Sequence, residues 1–202
     1  KTPVVLSFGS VNNWIDPASG NTLAGQRAVC AMPLFVAQRI LPDIRAYGYD
    51  PATHASPHAP WLVSNFVMDG YPREAPGEPL SWDNVVYQGE ALGYVVSTHQ
   101  LLRVARSPRT VFTAYHALSD QTPQAARQWL AEARPEALRD EPAADLVAAY
   151  GDEFWRRARQ LEITVRGHAM ASPYCGYLSN AGLAALREVA GPVLFAHADL
   201  SG

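Results

Sequence analysis

Trp61-Leu62-Val63-Ser64-Asn65-Phe66-Val67-Met68-Asp69 is the stretch on which the reading of the fold turns. Aromatic and β-branched side chains dominate it, and such residues fit a pleated, half-buried surface better than a helix. Glycine, proline and glutamate punctuate residues 70–79, so this stretch predicts a strand running into an exposed loop. Three more strands follow at residues 85–87, 93–98 and 109–116, with Gln88-Gly89-Glu90 as the turn between the first two. The middle of the chain therefore reads as antiparallel sheet.

Working outward from that block, residues 27–31 form a short apolar run closed by Met32-Pro33, and residues 34–41 have helical spacing with proline at their start. The first 31 residues read as strands around a polar turn built from Asn12, Asn13, Asp16, Pro17, Gly20 and Asn21, a sheet edge or hairpin. Residues 42–60, with their prolines and two histidines, predict an irregular surface excursion or lid. Beyond the sheet, Thr122-Pro123 is a hydroxyl cap before a first-turn proline, and good helix formers continue to Ala133. A second helical region covers residues 142–159, with a break at Gly151. A strand at 160–165, a short helix at 183–189 and a buried strand at 192–197 complete the order. Sheet in the middle with helices inserted late is an α+β arrangement: a mixed, largely antiparallel sheet flanked by helices, in a single domain over residues 1–202.

Composition limits the functions open to such a fold. Hydrophobic residues make up 48% and charged residues 17% of the 202, a balance that supports a buried core and excludes a disordered chain. The net charge of -3 supplies none of the basic field that a phosphate backbone needs, so nucleic acid is not an expected partner. No apolar run reaches the length of a membrane span, and a cytoplasmic location is favoured because no targeting segment opens the sequence. Lys1 is the sole lysine, which removes Schiff-base chemistry from the interior. The two cysteines, Cys30 and Cys175, are far apart in sequence and read as buried free thiols. Four histidines, His99, His116, His168 and His197, lie on or near expected strands, yet no pair has ligand spacing with a carboxylate, so no metal site is expected. Gly-x-Gly-x-x-Gly, a phosphate-cradling Gly-Lys-Ser/Thr loop and a Gly-x-Ser-x-Gly turn are all missing. No catalytic residue can be named, and Lys1 standing directly before Pro3-Val4-Val5-Leu6 without an initiator methionine leads to the expectation of a fragment.

Four local sequences carry a resemblance. They are Pro60-Trp61-Leu62-Val63-Ser64-Asn65, Ser81-Trp82-Asp83-Asn84-Val85 running on to Gly93-Tyr94-Val95-Val96-Ser97-Thr98-His99-Gln100, Arg166-Gly167-His168-Ala169-Met170, and Phe195-Ala196-His197-Ala198-Asp199-Leu200-Ser201-Gly202. Together, from Arg27 onward, the chain resembles a bacterial family of NAD(P)/FAD-dependent oxidoreductases related to flavin-containing amine oxidases. The resemblance implies the substrate-binding domain of a larger flavoprotein, a sheet with helices that covers a flavin ring and shapes the cavity for a small-molecule substrate. It implies FAD as cofactor, held mainly by a nucleotide-binding domain of the same polypeptide that lies outside this sequence, together with a C-terminal helix, so that the isolated chain is inactive. By the same resemblance Asp199 is a cofactor contact through ribityl or ribose hydroxyls, with a helix cap before Leu200 as an equal and compatible role. Pro33 is a secondary cofactor candidate beside its role as an ordinary helix-starting proline. Asp83, Asn84, His99 and His168 are candidates for the cavity wall, against loop and strand-end hydrogen bonding. One departure matters: many flavin amine oxidases hold a lysine near the flavin's reactive nitrogen, and none follows Lys1 here. The competing expectation is a non-enzymatic binding domain that docks a partner chain and uses no flavin.

Overall fold

The structure is a computed structural model, and it describes residues 4–6, 14–15, 22–23, 27–41, 43–73, 81–97 and 107–201. Sequence length suggests one domain, whereas the packed residues divide into two compact units: Lys1–Pro57 with Met170–Gly202, and His58–Ala169.

In the first unit, β1 (Val4–Leu6), β4 (Ala28–Cys30) and β10 (Val193–Phe195) form a parallel sheet in the order β1-β4-β10, with Val5 and Leu194 both in register with Val29. Strands β2 (Trp14–Ile15) and β3 (Thr22–Leu23) pair antiparallel, as a hairpin reading requires; the residues of the expected polar turn, Asn12, Asn13, Asp16, Pro17, Gly20 and Asn21, lie outside the described residues. Pro33 precedes α1 (Leu34–Ile40), whose Leu34 and Ala37 face inward with Leu41 just past its end, the i, i+3, i+7 spacing of one helix face. Where a lid was expected at 42–60, the segment 43–60 is built into the fold instead. It contains a 3₁₀ turn (Ile44–Tyr47), the single-turn α2 (Pro51–His54) and the start of the next strand, and it buries Ile44 and Tyr49. Its prolines mislead because Pro51 opens a helix behind the Asp50 cap and Pro60 sits within a strand, accepting Leu118 N–H at its carbonyl. Helix α6 (Ala181–Arg187) is capped by Asn180, whose Oδ1 accepts the Gly182 and Leu183 amides, and it buries Leu183 and Leu186.

The second unit is built on a five-stranded sheet in the order β6-β7-β8-β5-β9. Here β5 is His58–Asp69, β6 Asp83–Asn84, β7 Gly93–Val96, β8 Arg109–Ala117 and β9 Ala158–Ala171. The β6–β7, β7–β8 and β8–β5 pairs are antiparallel, which bears out the largely antiparallel α+β class. Burial along β5 alternates without a break: Leu62, Ser64, Phe66 and Met68 point inward, and Trp61, Val63, Asn65 and Val67 are half-buried. The stretch that opened the sequence reading is thus a two-faced strand. Its inward face meets α4 (Pro135–Tyr150) and α5 (Asp152–Arg157) through Ala143, Leu146 and Phe154. Helix α3 (Pro123–Glu132) starts as expected, the Thr122 hydroxyl accepting Ala125 N–H at 3.2 Å. Residues 85–87, expected as strand, are irregular; Val85 and Tyr87 are exposed and have no face to bury, so the pairing stops at Asn84.

Candidate functional site

At the end of β4 the chain turns through Ala31-Met32-Pro33 into α1, and a buried carboxylate holds that turn. Asp199 is 3% exposed, and its Oδ2 accepts the Leu34 N–H at 2.8 Å across a sequence separation of 165 residues. The first amides of a helix have no partner within it, so a carboxylate from the far end of the chain supplies one. Oδ1 lies 3.2 Å from His197 Nδ1, the same nitrogen that accepts the Asp199 N–H at 3.1 Å. The Asp199 carbonyl accepts the Tyr177 hydroxyl at 2.8 Å. Burial and this carboxylate act together on the neighbouring phenols. Tyr49 is pushed up to about 12, first by burial and then by repulsion from Asp199, and Tyr177 is raised by the same two causes in the same order. Burial likewise raises the Cys30 thiol at the end of β4, while Cys175, expected to be buried, is exposed. Pro33 and Asp199, picked out separately in the sequence, are therefore neighbours through Leu34.

In the second unit the outward face of the sheet carries a short polar ladder. Thr113 Oγ1 donates to Asn65 Oδ1 at 2.7 Å, and Ser97 Oγ lies 3.4 Å from Thr113 Oγ1, so β5, β8 and the residue just past the end of β7 contribute one group each. Around it stand Val95, Val63 and Tyr115, with Val95 opposite Thr113 and Val63 opposite Tyr115. A mostly apolar surface with a few convergent polar groups is the usual composition of a small-molecule site. Because Asn65 uses its carbonyl oxygen for Thr113, its amide nitrogen keeps the donor capacity of the side chain. None of these three residues was singled out as a candidate by the sequence reading, although Asn65 and Ser97 lie in quoted segments. The available signal was parity, since Asn65 and Thr113 are odd-numbered residues on strands whose even-numbered positions form the buried face.

The remaining candidates are spread over the second unit. Asp83 is exposed on β6 and Asn84 bonds locally, its Nδ2 donating to the Ser81 carbonyl at 2.9 Å. His168 is on β9, at the opposite edge of the sheet, with its ring 6.4 Å from that of His58. Four strand spacings of about 4.8 Å separate those edges, so the structure does not bring Asp83 and Asn84 together with His168. His99 lies outside the described residues. His116 is buried on β8 with Nε2 3.5 Å from Glu141 Oε1. Among the described residues no three His, Cys, Asp or Glu side chains gather as a metal site, and no helix is long and apolar enough to cross a membrane.

The fold itself has known likenesses. The chain is similar to reduced UDP-galactopyranose mutase. The TM-score is 0.60 at 9% sequence identity, over 90% of this chain and 37% of the mutase, so the likeness is one of fold alone and this chain spans well under half of that protein. A second solved structure, the PF1083 protein of Pyrococcus furiosus, matches with a TM-score of 0.42 at 13% identity, over 83% of this chain and 41% of that one. No protein-family description and no curated protein matches the sequence.

Proposed function

We propose that this chain is the substrate-binding part of a larger FAD-dependent oxidoreductase, related to the flavin-containing amine oxidases, and that it is inactive by itself. The observation that carries the reading is the two-sided sheet of the second unit. One side is packed under α4 and α5, and the other offers Asn65, Thr113 and Ser97 within an apolar surface. That is the composition of a cavity wall and not of a second core. Support also comes from the fold likeness to a protein crystallised in a reduced state, hence one that carries a redox-active group, of which this chain corresponds to 37%.

The residues present fit FAD only in part. A β4–turn–α1 unit beside β10 has the shape of a cofactor edge, but the sequence has no glycine-rich phosphate turn, and Asp199 Oδ2 is taken by the Leu34 amide. In this reading Asp199 serves the cofactor by holding the Ala31–Pro33 turn in place, with Pro33 setting the helix start. FAD supplies the redox chemistry when bound. The chain's own part is to orient the substrate: the Asn65 amide donates to an acceptor on it, the Thr113 hydroxyl fixes that amide, and Val63 and Val95 exclude water beside them. The chain has no lysine beyond Lys1, and so lacks the lysine that many flavin amine oxidases hold near the flavin's reactive nitrogen.

The deciding experiment is expression of the entire parent reading frame and measurement of its visible absorption. The expected result is a yellow protein with stoichiometric FAD beside a colourless 202-residue chain. A parent protein that stays colourless after refolding with excess FAD overturns the reading.

A further inference from the structure

Among the described residues, the sheet of the second unit ends at β9, a strand of 14 residues. Its opposite edge is the two-residue β6. A long free edge leaves a row of backbone N–H and C=O groups without a partner strand, and folded proteins normally shorten, cover or charge such edges. On β9 the Gly167 carbonyl accepts Arg127 Nη1 at 3.4 Å. Glu162, Val165 and Arg166 are exposed, and neither Glu162 nor Arg166 makes an ion pair among the described residues.

The charges on this edge are symmetric. Glu162-Ile163-Thr164-Val165-Arg166 places an acid and a base at equal distances from Thr164, with a β-branched apolar residue on each side between them. We propose that β9 is a self-association edge, at which a second copy of this chain pairs antiparallel about a two-fold axis at Thr164. In that register Glu162 stands opposite Arg166 of the second copy and Arg166 opposite its Glu162. Ile163 and Val165 stand opposite each other twice, and nearly the whole strand overlaps. Opposite charges placed directly across two strands attract and like charges repel. Parallel in-register pairing sets Glu162 against Glu162, and antiparallel slips of two residues set it against Thr164 or His168 and lose both ion pairs. A slip of one residue moves every side chain to the other face. The charges that would disfavour a foreign strand thus select one arrangement of this one. A two-fold contact of this kind uses the same surface on both copies and closes at the dimer. The inference is independent of the flavin reading.

Sedimentation equilibrium on the 202-residue chain, over a concentration series from the low micromolar range upward, tests it. The wild-type chain is expected to dimerise. Arg166→Glu and Glu162→Arg, both at exposed positions, should each weaken the dimer by about tenfold or more, since each turns two attractive pairs into repulsive ones. The double variant E162R/R166E should recover wild-type association, and an equimolar mixture of the two single variants should form a mixed dimer. Circular dichroism establishes that each variant is folded before it is weighed. A wild-type chain that is monomeric across the series, a dimer indifferent to both reversals, or single variants that associate neither in the double variant nor when mixed would each overturn the proposal.

Discussion

A single carboxylate decides the geometry at the start of α1. Asp199 is buried and its Oδ2 is the acceptor for Leu34 N–H, so replacing it leaves a buried amide unsatisfied. Asp199→Ala should cost ~1–3 kcal/mol in urea denaturation, and Asp199→Asn, which keeps a carbonyl acceptor, should cost less. Equal losses in the two variants would mean that charge and not the hydrogen bond is what the site requires. Tyr49 gives a pH signature of the same cluster. Its folded value of about 12 lies above the ordinary 10, so above pH 10 the unfolded chain loses its phenolic proton first. Folding stability from this group is complete below about pH 10 and is lost as the pH rises toward 12. A Tyr49→Phe variant should therefore show a shallower fall in Tm between those two pH values than the parent. Both residues illustrate what residue-by-residue reading misses: Asp199 was visible as a candidate, but its partner 165 positions away was not.

Elements were legible where a local rule has a local cause. The Thr122 cap, the proline before α1 and the break at Gly151 are all decided within a few residues. Gly151 has φ +59 and ψ −149, a region essentially restricted to glycine, and a Cβ there would meet nothing within 4 Å. Gly151→Ala should thus cost ~1–3 kcal/mol from backbone strain alone, read by thermal or urea unfolding. Gly93 has a positive φ of 117° and, in addition, a Cβ there would collide with the Asn84 carbonyl. Gly93→Ala should cost more than Gly151→Ala, and hydrogen exchange should show the loss concentrated in the β6–β7 pairing. Where local rules failed, packing had overridden them. Residues 42–60 looked like a lid because prolines cluster there, yet Ile44 and Tyr49 are core residues. Pro142 looked like a helix start, yet it sits inside α4 with its ring buried, and burial offsets the lost backbone hydrogen bond.

For the molecule as a whole, the second unit is one continuous segment, His58–Ala169, with its own core of Phe66, Phe112, Leu146 and Phe154. A segment with a contiguous core is expected to fold by itself. Expressed alone, it should unfold cooperatively with a mixed helix-and-sheet circular dichroism spectrum; a non-cooperative melt would show that it depends on the rest of the chain. By itself the amino-acid sequence determined the α+β class, the strand at 61–69, the helix caps and the lack of a phosphate-binding turn, because each follows from side-chain chemistry over a few neighbouring positions. Only the tertiary structure decided which candidates meet. It joined Pro33 to Asp199 through Leu34, set Asp83 and His168 at opposite edges of one sheet, and brought Ser97, Thr113 and Asn65 into one row of side-chain contacts. Strand order and register arise from burying one face of the whole sheet at once, and no local window of sequence contains that sum.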